Sequence, residues 1–410
     1  MRISQVDIIP IRPRFARRYE GHEIRMRSID QRTVFRVACD DGVVGYGDYR
    51  CAPPPQSVAD AMLGRSPFAF LRDESLPLGL GAACYDAAGK HLGIPAWQLM
   101  GSRQRQRVPV CAWTRPGPPA VMAAEIERAA AEGYLLFKVH TCQHHDLLEQ
   151  HRAIDDAAPP DFRMHYDFNH NRTLAGVLPI LEQLPMARVA CVEDPVVLSD
   201  LEGWRRLRER LPVPVLMHVP PLNGIQEMLM GCADGYIIGE YCGGFGDALI
   251  RGHAYARAGL LNVVQLTGGM LTKAFALHFA CTLPKGHTIN LVDQYEDDVT
   301  RQVIPIDGGS SPVPEGPGLG IEVDEEALGE LASRPAPRLP EHVGVLRLAG
   351  GRVLYTASIP DLGQVLGFEE GTLRGVDFSV WEDDGSEEFR RVRERVSQGG
   401  YWFAPAGPLV

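Results

Sequence analysis

The chain has 410 residues, a formal net charge of −11, 45% apolar residues and 23% charged residues. These proportions are typical of a globular protein, and the length exceeds that of one ordinary domain. The acidic balance argues against nucleic acid or an anionic membrane as a partner, because both attract basic surfaces. Nine scattered cysteines, no apolar run long enough to span a membrane and no apolar core near Met1 predict a cytoplasmic protein with reduced thiols.

The first part of the chain, residues 1–105, is predicted to form an α+β module. Alternating segments predict three strands and an apolar periodic segment predicts one helix, at 3–11, 33–39, 43–47 and 81–92. Gly93 follows the helix as a glycine C-terminal cap. The polar, arginine-rich segment 14–27 predicts a long loop, which is either a solvated surface segment or a functional one.

The middle of the chain, residues 106–334, is predicted to be a modified (β/α)₈ (TIM-like) barrel. Short apolar segments recur there at an interval close to that of a βαβ unit, about 30 residues. They lack alternation, as expected for parallel strands that are covered on both faces. The eight predicted strands lie at 107–113, 136–140, 165–169, 191–195, 213–218, 235–240, 262–266 and 288–293.

Polar residues end three of these strands. Lys138 and His140 end the second, Asp167 the third and Glu193 the fourth. The carboxyl ends of barrel strands lie at one face, where such folds place their chemistry, so these side chains are predicted to form one ring. Asp167 and Glu193 would repel each other unless a cation lay between them, which favours a hard divalent ion. The alternative is that they cap helices or pair with arginines.

The last part of the chain, residues 335–410, predicts a small α+β extension. A hairpin over 343–356, a strand over 376–381 and a charged amphipathic helix over 386–396 are expected, with a capping box formed by Asp384 and Glu387. A packing or oligomer-stabilising role is the favoured interpretation over a second active site.

Four motifs resemble the enolase superfamily, and within it the mandelate racemase and muconate lactonizing enzyme branch. They are DGVVGYGD at 41–48, ACYDAAGKHLGIPAWQLMG at 83–101, EDP at 193–195 and GPGLGIEV at 316–323. This resemblance implies an α+β capping domain over a modified barrel, with the active site between them, and a homo-oligomer. It also implies a substrate-selecting lid, which would include Arg17, Arg18 and Arg50.

The resemblance implies a metal site for Mg²⁺. Asp167 and Glu193 match ligand positions, whereas the third position, a carboxylate in relatives, holds His218. His218 either ligates through a neutral imidazole, which tilts the preference towards Mn²⁺ or another divalent metal, or does not ligate. Asn169 is expected to hydrogen-bond a metal-bound water.

The branch usually carries Lys-x-Lys where this chain has Lys138 and His140. By position Lys138 would steady the substrate carboxylate and His140 would be the base. The adjacent ammonium would keep the imidazole neutral. The alternative is a histidine that only packs in the barrel mouth.

On the face opposite His140, relatives of the branch carry an acid or base on the sixth and seventh strands. Ile238 occupies that position on the sixth strand of this chain, and Gln265 lies near that position on the seventh. Neither transfers protons readily. Glu240, two residues beyond Ile238, is expected to face the same way as Ile238. The resemblance also implies that Asp293 occupies the place of a glutamate that hydrogen-bonds the enolate in relatives. One-sided chemistry is therefore expected.

The expected function is that of a divalent-metal-dependent lyase. It would abstract the proton α to the carboxylate of a hydroxy acid, with a sugar acid as the expected class, and dehydrate a metal-stabilised enolate. The alternatives are a racemase, epimerase or cycloisomerase of the same superfamily, or a barrel that has lost catalysis and serves as a binding or assembly subunit.

Overall fold

The chain was studied as a computed structural model, which describes residues 1–16, 31–142, 144–289, 292–336, 340–357, 362 and 373–404. Arg17 and Arg18, which were predicted to belong to a lid, lie outside these residues, as does the side chain of Asp293. Among the described helices, none is both long enough and apolar enough to cross a membrane.

Eight parallel strands close into a barrel, which confirms the predicted fold class. Each strand pairs with the next along the chain, and the last pairs with the first to close the ring. The strands are β4 Arg107–Thr114, β5 Leu136–His140, β6 Arg163–Asp167, β7 Val189–Glu193, β8 Val215–Met217, β9 Gly235–Gly239, β10 Leu261–Gln265 and β11 Thr288–Ile289. An additional strand, β12 Ser310–Pro312, pairs antiparallel with β4.

Helices follow the barrel strands, as expected for a (β/α)₈ barrel. They are α3 Pro119–Ala131, α4 Leu147–Ala157, α5 Leu174–Leu181, α6 Leu201–Arg210, α7 Ile225–Met230, α8 Phe245–Arg257 and α9 Met270–Ala280, and α10 Glu325–Ser333 returns to the first module. The eighth strand was predicted too long. Only Thr288–Ile289 is extended, and the chain turns into a 3-10 helix at Val292–Gln294.

The first module is a three-stranded antiparallel sheet packed on one long helix. Its elements are β1 Ile3–Ile11, β2 Arg32–Cys39, β3 Val44–Tyr49, α1 Gln56–Asp60 and α2 Leu78–Leu92. Two glycines of β3 allow α2 to approach closely: a Cβ on Gly45 would lie 2.2 Å from Ala83 O, and one on Gly47 would lie 2.2 Å from Gly79 O. This contact explains two of the three glycines of the 41–48 motif.

The first module docks on the barrel through Asp48. Its carboxylate accepts hydrogen bonds from the backbone N–H groups of Gly269 and Thr272 at the start of α9. A helix N-terminus favours an anion there. Two residues later, the backbone N–H of Arg50 donates to Thr267 O over 2.9 Å. The turn after β3 is thereby fixed at the carboxyl ends of the barrel strands.

The extension is a four-stranded antiparallel sheet in the order β15-β13-β14-β16 with a helix packed on it. The elements are β13 His342–Arg347, β14 Val353–Thr356, β15 Asp377–Glu382, α11 Glu387–Gly399 and β16 Tyr401–Ala404. The predicted capping box is wrong. Ser386 is the N-cap, and Asp384 instead accepts hydrogen bonds from Ser386 N and Trp381 Nε1.

Candidate active site

Lys138 lies between two buried carboxylates. Its Nζ is 2.9 Å from Asp167 Oδ2, 2.7 Å from Glu193 Oε2 and 3.1 Å from Gln265 Oε1. Burial alone would lower the pKa of Lys138, but the charges of Asp167 and Glu193 outweigh it and raise this pKa. Lys138 is therefore a permanent cation that contacts both predicted metal ligands. It also lines the cavity in which it was predicted to bind the substrate carboxylate.

Glu193 is fully buried and surrounded by nitrogen atoms. Besides Lys138, His165 Nε2 lies 2.7 Å from its Oε2, and His218 Nδ1 lies 3.1 Å from its Oε1. Burial would raise the pKa of Glu193, but Lys138 and the two histidines bring it well below its usual range. Glu193 is consequently a carboxylate at any ordinary pH. His165 was not predicted as a site residue; its place two residues before Asp167 is the one sequence feature that indicates its contact with the ring.

His140 lies beside Asp167 at the edge of this cluster. Its Nε2 is 3.2 Å from Asp167 Oδ2, and its ring meets Trp113 edge to face. Burial, aided by the charges of Lys138 and Arg115, lowers the pKa of His140 to about 3, although Asp167 opposes this effect. The imidazole is neutral near pH 7, the protonation state that a base requires.

Asp194 joins the predicted ligands. Ligand-type atoms of Glu193, Asp194 and His218 lie within 4.8 Å of one another, and Asp194 Oδ1 accepts a hydrogen bond from His218 N. Asp194 has φ 48°, a left-handed conformation that is uncommon outside glycine. Asn169, His170 and Tyr241 share this conformation just after β6 and β9. Backbone strain of this kind clusters at functional sites, and the sequence carries no signal for it.

These residues line one cavity of about 400 Å³. It includes Lys138, His140 and Asp167, with Glu193 buried at their contact. Asn169 also lines it, and donates from its backbone N–H to Asp167 Oδ1. The other lining residues are Arg50, Trp113, Arg115, His170, Asp194, His218, Val219, Glu240, Tyr241, Gln265, Thr267 and Ile289. Trp113, Arg115, His170 and Tyr241 were not predicted.

Glu240 faces His140 from the opposite side of the barrel, because β9 is the sixth strand and β5 the second. Its Oε1 accepts a hydrogen bond from Thr267 N, and the Tyr49 hydroxyl also bonds to it. The expectation that Ile238 shares its direction is wrong. Ile238 Cδ1 packs where a Cβ on Gly252 of α8 would lie, outside the barrel. Gly239, at φ 118°, breaks the alternation and allows Glu240 to turn inward.

The side-chain set at the cavity floor fits a divalent cation. Asp167, Glu193 and Asp194 supply carboxylate oxygens, and the buried Nε2 of His218 makes no hydrogen bond within the described residues. Oxygen ligands with one imidazole suit Mg²⁺ or Mn²⁺. Lys138 lies between Asp167 and Glu193, whereas the three groups that converge most closely are Glu193, Asp194 and His218.

Comparison with known proteins agrees with this architecture. A family model described as Enolase C-terminal domain-like matches residues 121–327. D-galactarolactone cycloisomerase from Agrobacterium fabrum is 26% identical over 73% of this chain and 90% of its own length. D-galactonate dehydratase from Variovorax paradoxus is 26% identical over 63% of this chain and 73% of its own length. Both relatives are enzymes.

The solved structure of N-succinyl Arg/Lys racemase from Bacillus cereus has the same fold. It superimposes with a TM-score of 0.65 at 21% identity and covers 82% of this chain and 99% of that one. The likeness to the mandelate racemase and muconate lactonizing enzyme branch that the four motifs predicted is confirmed.

Proposed function

Because the chain belongs to the Enolase C-terminal domain-like family, we propose that it is a divalent-metal-dependent lyase that dehydrates a hydroxy acid of the sugar-acid class. The observation that carries the proposal is the position of His140. Its neutral imidazole contacts Asp167 and lines the same cavity as Lys138 and the carboxylate cluster. A base beside a cationic floor is the arrangement that removal of a proton α to a carboxylate requires.

His140 would act first as base and then as acid. It takes the α-proton, and the electron pair of the broken C–H bond forms the enolate of the acid. The resulting imidazolium then donates this proton to the departing β-hydroxyl, so that the C–O bond breaks and water leaves from the same face. The enol product tautomerises to a 2-keto acid, which balances the loss of one water.

The cation would be held by Asp167, Glu193, His218 and the unpredicted Asp194. A bound Mg²⁺ or Mn²⁺ supplies the positive charge that stabilises an enolate. Lys138, which already carries a charge at the same floor, would attract the carboxylate of the acid into the cavity.

The lining of the cavity supports a polyhydroxylated acid. Arg50 and Arg115 add positive charge, and Asn169, His170 and Thr267 offer hydrogen-bonding groups. A cavity of about 400 Å³ lies within the usual range of small-molecule sites, roughly 300–1,000 Å³. Among curated relatives, the dehydratase from Variovorax paradoxus is described as acting on a sugar acid, D-galactonate.

The position of Glu240 favours a second candidate, an epimerase or racemase. Glu240 lines the cavity from the strand opposite His140, so that two groups able to carry protons face each other. An intermediate deprotonated by one group and reprotonated by the other would change configuration. Glu240 accepts hydrogen bonds from Thr267 N and from the Tyr49 hydroxyl, which hold its carboxylate in place at this wall of the cavity.

Incubation with a panel of acid sugars and Mg²⁺ in D₂O separates these possibilities. The proposed lyase releases a 2-keto acid, detected as a semicarbazone, whereas an epimerase returns an acid with deuterium at Cα and altered optical rotation. A panel with neither deuterium exchange nor keto acid, at a metal concentration that titration shows to be saturating, would contradict both. We propose a homo-oligomer as the functional form, which light scattering on the purified chain tests.

A further inference from the structure

A second cluster of metal-binding residues lies inside the barrel, beneath the cavity floor. The cluster consists of Cys111 of β4, His165 of β6 and His287, which lies in the loop just before β11. Their ligand-type atoms lie within 4.8 Å of one another. The layer around Cys111 is otherwise filled by apolar residues, including Leu216, Ile237, Val263 and Ile289.

We propose that Cys111, His165 and His287 form a second metal site, which binds a thiophilic divalent ion such as Zn²⁺. The donor set of one thiol and two imidazoles matches the chemistry that Zn²⁺ prefers, and Mg²⁺ avoids such donors. Three protein ligands leave a fourth position for water, as in zinc sites with an open coordination position.

The distance between the two imidazoles supports the proposal. His165 Nδ1 lies 3.2 Å from His287 Nε2, and the two rings are nearly perpendicular. Two imidazole nitrogens at about 2.05 Å from a tetrahedral zinc ion are roughly 3.3 Å apart. The existing separation therefore suits an edge of such a tetrahedron without movement of the strands.

The other nitrogen of His165 provides an independent observation. His165 Nε2 lies 2.7 Å from Glu193 Oε2. Histidines that bind a metal through one nitrogen usually donate a hydrogen bond from the other to a carboxylate, which fixes the tautomer and orients the ring. Glu193 would thus belong to two sites: its carboxylate is part of the cavity floor, and it orients a ligand of the ion below.

The thiolate of Cys111 would reduce the charge of a bound divalent ion to one, and the carboxylate of Glu193 lies near that remaining charge through its contact with His165. His287 is partly exposed, whereas Cys111 and His165 are buried. Because none of its three ligands is a proposed ligand of the cavity cation, the site can be tested separately from the proposed reaction.

The test uses the metal alone. The full-length chain without an affinity tag is stripped with a chelator, dialysed, and titrated with Co²⁺, which gives a near-ultraviolet thiolate-to-cobalt charge-transfer band when a cysteine ligates it. Zn²⁺ is then added, and the bound metal is counted by mass spectrometry. We expect one Co²⁺ per chain that gives this band and is displaced by Zn²⁺.

The variants assign the band. Cys111→Ser and His287→Asn should each lose it together with one equivalent of tightly bound metal. Cys191→Ala is the matched control, because Cys191 is a buried thiol of the same apolar cluster but lies outside the ligand group. It should keep the band. Cys142→Ser should also keep it, although Cys142 lies near His144 and His145 in another group of ligand-type residues.

Circular dichroism establishes that each variant is folded. If Cys111→Ser does not fold, His287→Asn decides, since His287 is partly exposed. A folded wild-type chain without a thiolate-to-cobalt band would overturn the proposal and leave the His287–His165–Glu193 contacts as a hydrogen-bond chain. Persistence of the band in both variants, or its loss in Cys142→Ser alone, would overturn it equally.

Discussion

Lys138 Nζ lies 2.7 Å from Glu193 Oε2, so that a cation of the protein occupies one side of the carboxylate cluster. The same nitrogen contacts Asp167, and Lys138 is almost fully buried. A divalent metal ion was predicted between these two carboxylates. In the structure the ammonium of Lys138 lies between them, and the converging groups of Asp194 and His218 extend the cluster on the other side of Glu193.

Replacing Lys138 should destabilise the fold strongly when no metal is present. Lys138→Met leaves Asp167 and Glu193 as neighbouring buried carboxylates, and breaking a buried pair in this way costs about 3–5 kcal/mol. Mn²⁺ should restore much of the loss, because it supplies the missing positive charge. Thermal unfolding with chelator and with Mn²⁺ measures both effects. Lys285→Met removes an exposed ammonium and is the control; equal behaviour of the two variants would refute the prediction.

Metal affinity should weaken in acid because of His218. Burial would lower its pKa, but the contact with Glu193 outweighs burial and raises it above its usual value. Protonated imidazole cannot ligate, so affinity falls as pH drops through this raised pKa. The same shift means that protonated His218 stabilises the metal-free fold below about pH 6.5, an effect lost as pH rises through the raised pKa.

Calorimetric titration of Mn²⁺ at about pH 6 and about pH 8 checks this prediction. The wild-type chain should bind more tightly at the higher pH, and His218→Asn should bind weakly with a smaller difference between the two. An affinity in the wild-type chain that does not change with pH would show that His218 is not a ligand.

His278 should make the fold less stable in acid. It is fully buried on α9, its Nε2 lies 3.1 Å from Leu319 O, and burial lowers its pKa to about 4. Because the unfolded histidine binds its proton near pH 6.5, the unfolded state takes up more protons between these values, and stability falls as pH falls. About 2 kcal/mol should be lost between about pH 7 and about pH 5.

Urea denaturation of the wild-type chain and of His278→Gln across this pH range measures the contribution of His278. Glutamine keeps an N–H donor that can reach Leu319 O but has no proton to gain. The variant should lose less stability on acidification than the wild-type chain. Equal losses would assign the pH dependence to other groups.

The extension should be anchored to the barrel by Asp146. Its side chain caps α4 through Leu148 N and Glu149 N, and it also contacts Arg374 Nη1 at 2.5 Å and accepts a hydrogen bond from Gly375 N. Asp146→Ala removes all of these bonds and should cost about 2–4 kcal/mol in chemical denaturation.

An exposed pair of the extension serves as the control. Asp377 lies 3.3 Å from Arg347, and both side chains are more than half exposed. Asp377→Ala should change stability by less than about 1 kcal/mol. If Asp146→Ala cost no more than this, the contacts of the extension with the loop after β5 would not contribute to stability.

The sequence predicted the residues at the ends of the barrel strands better than the other residues that line the cavity. Strand spacing and the polar ends of strands were enough to bring Lys138, His140, Asp167 and Glu193 to one cavity, because period and position are local properties. Glu240 was predicted to face the cavity because side chains two residues apart in a strand point the same way. Its side chain reaches the cavity instead because Gly239 has a positive φ, which the pattern of apolar and polar residues does not indicate.

Contacts between strands that are far apart in the sequence could not be predicted from the spacing of residue types. His165 and His287 are separated by most of the barrel sequence, yet their nitrogens lie 3.2 Å apart because the ring closes. Asp194 follows Glu193 directly and would point away in a regular strand, but its left-handed backbone brings it to the cluster. Tyr49, which reaches Glu240 from the first module, depends on the docking of that module through Asp48.

The most direct test of the central claim is α-proton exchange in D₂O, followed by proton nuclear magnetic resonance on a panel of acid sugars with saturating Mg²⁺. We predict loss of the α-proton signal and formation of a keto acid with the wild-type chain at about pH 8, where the metal is expected to bind more tightly than in acid. The pKa of His140 is lowered to about 3, so its ring is neutral at this pH. His140→Asn should lower the exchange rate at least about 100-fold while leaving Mn²⁺ affinity within a few-fold. Exchange at the wild-type rate in His140→Asn, or no exchange with any acid in a metal-loaded wild-type chain, would contradict the account.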